Sequence, residues 1–119
     1  MITEDYCSFE VAKLLKEKGF NERSAASYDS KGQLQEGYAY WNKTPIWYAA
    51  PTHQMAMKWL RDVHHIAINI GWGEIFEDRY KWWSTVLNMD NGDLYDEHYN
   101  ASYEESVEDT LKYCLEKLI

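Results

Sequence analysis

The sequence predicts an α+β fold in two layers, and three observations carry that expectation. Three segments repeat apolar residues at helical spacing, each behind a residue suited to cap a helix. Between them the period switches to two, in stretches rich in Tyr, Trp and Ile. Turn residues punctuate the stretches, so the elements run α-ββ-α-ββ-α within a single domain, residues 1–119. The expected arrangement is a mostly antiparallel sheet of about four strands with helices largely on one face.

The first helix opens at Ser8, whose hydroxyl can accept from a free N–H of the first turn. Glu10 complements the helix dipole, and Val11, Leu14 and Leu15 form an i, i+3, i+4 stripe beside Ala12. Lys16 and Lys18 suit the last turn, and Gly19 the residue that ends it. A strand pair follows: Ser24 to Tyr28, a turn at Asp29-Ser30-Lys31-Gly32, then Gln33 to Trp41. In the latter, Leu34, Tyr38 and Tyr40 share a side. Asn42-Lys43-Thr44-Pro45 breaks the pattern before a short extended piece, Ile46-Trp47-Tyr48.

Thr52 is the expected cap of the second helix, in which Ala56, Trp59, Leu60 and Val63 recur at i, i+3, i+4, i+7. Ile66, Ile68 and Ile70 then alternate with Ala67 and Asn69 as a half-buried strand. Gly71-Trp72-Gly73 is read as its end. Tyr80 to Leu87 is its partner, with Trp82 and Trp83 placing one indole on each face, and Asp90-Asn91-Gly92-Asp93 is a loop. The third helix opens on a capping box, Ser102 with Glu105 three residues on, and continues through Val107, Leu111, Cys114, Leu115 and Leu118. The expected core includes Leu14, Leu15, Trp59, Leu60, Val63, Ile66, Ile68, Leu111 and Leu115. A faint echo between residues 8–12 and 52–56 fits either an αββ duplication or two helices obeying the same capping rules.

Composition limits the function classes. The 119 residues are 45% hydrophobic, enough for a core without metal or disulfides. The net charge of −8 is uneven: residues 1–83 hold 11 acids and 10 bases, residues 84–119 hold 9 acids and 2 bases. Such a balance argues against direct nucleic-acid binding. No apolar run reaches membrane-spanning length, and the acidic start, Met1 to Tyr6, lacks a signal-like stretch. A cytoplasmic location with reduced Cys7 and Cys114 is expected.

Chemistry-bearing motifs are sparse. His64 and His65 are adjacent and point apart; His53 lies about 16 Å from His64 along one helix. Neither HExxH nor paired CxxC occurs, so no metal is expected. Asp90-Asn91-Gly92-Asp93 fails the calcium-loop spacing. No phosphate-loop, dinucleotide or nucleophile-elbow motif is present, so neither a cofactor nor catalysis is expected. Cys7 precedes a helix cap, where the dipole would lower its pKa; Cys114 lies on an apolar stripe and reads as inert. Glu104-Glu105 and Glu108-Asp109 suit the start of the third helix.

What remains is an aromatic surplus, 6 Trp and 10 Tyr, and the stretch from Ser84 to Leu111 without a basic residue. The candidate interaction surface is therefore Trp41, Trp47, Tyr48, Trp72 and Trp83, with Asp93, Asp96, Glu104 and Glu108. Three readings follow: a non-enzymatic binding or accessory protein acting through protein–protein contacts, with a homodimer among its assemblies; an acidic nucleic-acid mimic that occupies a DNA-binding protein; or a small-molecule binder using an aromatic groove beside His64 or His65.

The stretch Ala50-Pro51-Thr52-His53-Gln54-Met55-Ala56-Met57-Lys58-Trp59-Leu60-Arg61-Asp62-Val63-His64, the opening Ser8 to Phe20 and the close Lys112 to Ile119 together resemble a group of small uncharacterised proteins of gut Bacteroidales genomes, their prophages and phages. The resemblance covers the order of elements, with a weaker match in the strands. It implies a bacterial, mobile-element context and brings no activity and no functional residues.

Overall fold

The computed structural model describes residues 2–76 and 79–119. It is an α+β globule of three helices and two separate three-stranded antiparallel sheets. Helix α1 spans Phe9–Glu17, followed by β1 (Ser24–Tyr28), β2 (Leu34–Ala39), a 3-10 turn at Trp41–Lys43 and β3 (Tyr48–Ala49). Helix α2 spans His53–His64, then come β4 (Ile66–Phe76), β5 (Arg79–Asn88), β6 (Leu94–Asn100) and α3 (Tyr103–Tyr113), whose continuation Cys114–Leu118 widens to a π-helical turn.

All three helix starts form for the reason their sequences give. Ser8 Oγ accepts from the Val11 N–H, Thr52 Oγ1 from Met55 and Ser102 Oγ from Glu105, each satisfying one free donor of the first turn. Gly19 ends α1 with φ +93°, a conformation glycine adopts without strain. At the end of α2, His65 takes the left-handed conformation (φ 55°), and its N–H reaches back to the Leu60 carbonyl. The chain can then double back as β4. No helix among the described residues is long and apolar enough to cross a membrane.

The single sheet of about four strands expected from sequence is instead two sheets, ordered β2-β1-β3 and β4-β5-β6. The second sheet also holds a strand that was not expected, β6. Its helix-facing residues are Asp96, His98 and Asn100, so it carries no apolar alternation to mark it as a strand. These polar groups are accommodated by α3 and by each other. Asn100 Nδ2 donates to Asp109 at 2.6 Å, the Ser106 hydroxyl donates to Asn100, and the His98 ring meets Tyr113 at 5.7 Å. A second difference is that β4 runs on through Gly71-Trp72-Gly73 rather than ending there, because those residues pair with Trp83, Trp82 and Lys81.

The core gathers where the helices meet the sheets: Cys7, Val11, Leu15, Phe20, Trp59, Leu60, Ile66, Val86, Val107, Leu111, Cys114 and Leu115 are all buried. Leu14 and Ile68 pack against it from its margin. Val63 is not part of it and is 54% exposed. The buried residues of α2 are His53, Ala56, Met57, Trp59 and Leu60, and Val63, one turn beyond Trp59, is left open in the helix's last turn. There, with Glu22, Met55, Lys58, Trp59 and Asp62, it lines a groove of about 290 Å³. Strand β2 is exposed along most of its length, Tyr38 at 69%.

Candidate interaction surface

The second sheet has one covered face and one open face, and its register assigns each side chain to one or the other. Ile68, Val86 and Asp96 form one row; Ile70, Ser84 and His98 the next; Trp72, Trp82 and Asn100 the third. These rows face α3. The Thr110 hydroxyl lies 2.9 Å from Ser84 Oγ and donates to the Ser106 carbonyl, while Trp82 meets Tyr103 edge-on at 5.4 Å.

The alternate rows face away from the helices. They are Ala67, Leu87 and Leu94; Asn69, Thr85 and Glu97; and Gly71, Trp83 and Tyr99, with Gly73 and Lys81 beyond. Trp83 lies flat across Gly71: a Cβ built on that glycine would fall 2.1 Å from Trp83 Cζ2. The missing side chain thus makes the bed for the indole. The Tyr99 hydroxyl donates to Glu97 on the same strand. Leu94 is 55% exposed and Tyr99 44%. The result is an aromatic and aliphatic face that includes, among its described side chains, the acid Glu97 and the base Lys81, in a chain of net charge −8.

The candidate residues read from sequence are distributed over several places. Trp41, Trp47 and Tyr48 come together beside the first sheet. Trp41 and Trp47 are tilted against each other at 5.3 Å, and Trp41 Nε1 donates to the Gly37 carbonyl. Lys16 Nζ donates to the Thr44 and Trp47 carbonyls and sits 4.9 Å over the Tyr48 ring, which meets Phe9 edge-on. All three aromatics are half-buried. Trp72 and Trp83 lie on opposite faces of the second sheet.

Among the acids, Asp93 is exposed in the β5–β6 turn and Glu104 in the first turn of α3. Asp96 Oδ2 lies 2.7 Å from His98 Nε2 on the covered face. Glu108 is spent inside the molecule. Its Oε1 accepts from the Ser8 N–H at 2.7 Å and lies 3.2 Å from His53 Nε2, and its Oε2 accepts from the Ser8 hydroxyl. One carboxylate on α3 therefore ties the starts of α1 and α2 together. A capping box on α1 would need Glu or Gln at position 11, but Val11 is required by the core, and Glu108 takes that role from another helix. That vacancy was the one sequence signal for this cluster.

Cys7 stands beside it, fully buried, with its N–H donating to the Pro51 carbonyl. Burial, and then the negative charge of Glu108, push its thiol well above the ordinary range. The dipole of α1 does not prevail, contrary to the expectation of a lowered pKa. Cys7 is thus a core thiol beside a His–Glu pair, held toward its protonated form by burial and by the Glu108 charge.

Concave spaces at this end of the fold reach about 450 Å³, the volume of one lined by Thr3, Glu4, Asp5, Tyr6, Glu36 and Thr52. One of about 160 Å³ is lined by Thr3, Glu4, Asp5, Thr52, His53, Gln54, Tyr103 and Glu104. Among the described residues, no group of three or more His, Cys, Asp and Glu converges in a way that could hold a metal ion. No family model, curated protein or solved structure matches the chain, so the functional reading rests on its own residues and geometry.

Proposed function

We propose that this chain is a small non-enzymatic binding protein, an accessory factor of a bacterial mobile element or phage, that grips a protein partner with the open face of β4-β5-β6. The observation that carries this reading is the face itself. Trp83 and Leu87, both half-buried, and Leu94 and Tyr99, both exposed, lie together on the side of the sheet away from α3. Uncovered aromatic and aliphatic surface of this kind costs solvation and marks contact sites. Trp and Tyr are the side chains that contribute most per residue to binding. The flat shape fits the role: the molecule measures 48 × 37 × 21 Å, and its shortest dimension is close to two packed layers at about 10 Å each. The mobile-element context is supported by the resemblance of the three helical blocks alone.

Thr85 stands between Trp83 and Leu87 at the middle of the face, on the central strand. Affinity capture from bacterial host lysate, with wild type and Thr85→Arg side by side, tests the reading. A protein retained by wild type and lost by a variant with unchanged circular dichroism supports it. Identical retention by both removes the open face from the function.

A further inference from the structure

Strand β4 lies at the edge of its sheet, and on its outer side no strand among the described residues pairs with it. Natural edge strands are kept short or interrupted by charge, proline or bulges, because a bare edge recruits another strand. β4 is 11 residues long. From Ile66 to Gly73 it contains no charged residue and no proline, and its single irregularity falls beyond them, between Glu74 and Phe76. This edge is unguarded over its first eight residues.

We propose that the occupant of this edge is a second copy of the same chain, paired antiparallel through β4 about a two-fold axis at Asn69. The argument is the symmetry of the strand's own chemistry. Ala67-Ile68-Asn69-Ile70-Gly71 reads alike in both directions: small, Ile, Asn, Ile, small. An antiparallel copy centred on Asn69 sets Ile68 against Ile70 of the other copy on the helix side. On the open side, Ala67 meets Gly71 and Asn69 meets Asn69. A two-fold interface brings one surface against itself, so it needs this kind of self-matching. An Asn amide both donates and accepts, so two of them can bond reciprocally across the axis.

Charge permits the pairing at this edge. A chain of net charge −8 repels its copy, yet Asp96 and Glu97 belong to β6, at the opposite edge of the sheet, and Asp90, in the turn before it, lies 3.0 Å from the His65 ring. Two strand spacings place Asp96 and Glu97 about 10 Å farther away, roughly a Debye length at 0.1 M salt. The dimer would fuse two three-stranded sheets into one of six strands and make the two open faces continuous. It needs no outside partner, so it stands or falls separately from the function proposed above.

The test is sedimentation equilibrium of the purified full chain across the micromolar to millimolar range. Wild type should approach twice 14.1 kDa. Asn69→Lys and Asn69→Asp each place like charges face to face across the axis and should weaken association at least ~tenfold. An equimolar mixture of the two should associate again, because opposite charges then meet. Amide exchange at residues 67–71 of wild type should slow as concentration rises. A wild type that stays at 14.1 kDa throughout, variants that dimerise like wild type with no gain on mixing, or exchange independent of concentration would each overturn the proposal.

Discussion

Glu108 is placed where a carboxylate has the most donors to satisfy. The Ser8 N–H and hydroxyl and the His53 ring all turn toward it, and its side chain is only 25% exposed. Removing it leaves buried donors at the starts of two helices without an acceptor, a loss that costs about 1–3 kcal/mol per group when water cannot replace it. Glu108→Ala should therefore destabilise the fold by about 3 kcal/mol in urea unfolding at neutral pH. Glu104→Ala is the control, since that residue is exposed at the same end of α3, in the first turn where the helix dipole acts on it; its cost should stay under about 1 kcal/mol. Equal costs would mean that the tie between α3 and the other two helices contributes nothing. The sequence shows Glu108 as one more acid in a helix's first turns. Only the packing of α3 against Ser8 and His53, 100 and 55 residues away, separates it from its neighbours.

At the scale of elements, what could be read in advance was whatever is decided locally. A helix start needs one capping oxygen and a stripe within the next turn, so Ser8, Thr52 and Ser102 announced theirs. The β4-β5 pairing was legible from the alternation of Ile66, Ile68 and Ile70. β6 was not, because Asp96, His98 and Asn100 occupy the inward positions and are made tolerable only by α3, which follows later in the chain. The span of β4 was misjudged for a related reason. Glycines normally weaken strands, and Gly71 is retained because Trp83 on the next strand needs its space. Two glycines on the same face of one strand should then respond oppositely to a methyl group. Gly71→Ala drives a Cβ into the Trp83 ring and should cost about 1–3 kcal/mol, with a change in tryptophan fluorescence. Gly73→Ala meets nothing within 4 Å and should gain about 0.5–1 kcal/mol. Thermal melts of the two variants decide the matter; a shift of the same sign in both would show that Trp83 does not rest where the register puts it.

The whole molecule closes by bringing its two ends into one core. Cys7, next to the first helix, and Cys114, at the start of the last turn, are both fully buried in the same apolar cluster. Lys112 Nζ lies 2.7 Å from Glu10, and Lys18 Nζ donates to the Ile119 carbonyl. The open sheet face is also a property of this scale. Which side of β4-β5-β6 stays bare depends on where α3 docks, so the sequence showed the tryptophans without showing that Trp83 faces out with Leu87 and Leu94 while Trp82 faces in. The buried thiols give the closed state a pH signature whose sign can be worked out. Burial pushes Cys114 up to about 12, and Cys7 well above its ordinary value. Both therefore stay protonated in the fold at pH values where they ionise in the unfolded chain. With raised folded-state pKa values, their contribution is complete below the unfolded thiol pKa of about 8.5 and is lost as pH climbs from there, for Cys114 toward about 12. The Cys114 thiol removes about 1.4 kcal/mol per pH unit within that window, and Cys7 acts in the same direction. Urea midpoints should hold steady from about pH 7 to about pH 8.5 and then fall steeply by about pH 10.5. Cys114→Ala should start from lower stability at neutral pH, because it leaves a small cavity, yet descend less steeply. Parallel alkaline descents for wild type and Cys114→Ala would show that the thiol at the end of the chain is reached by water before the core opens.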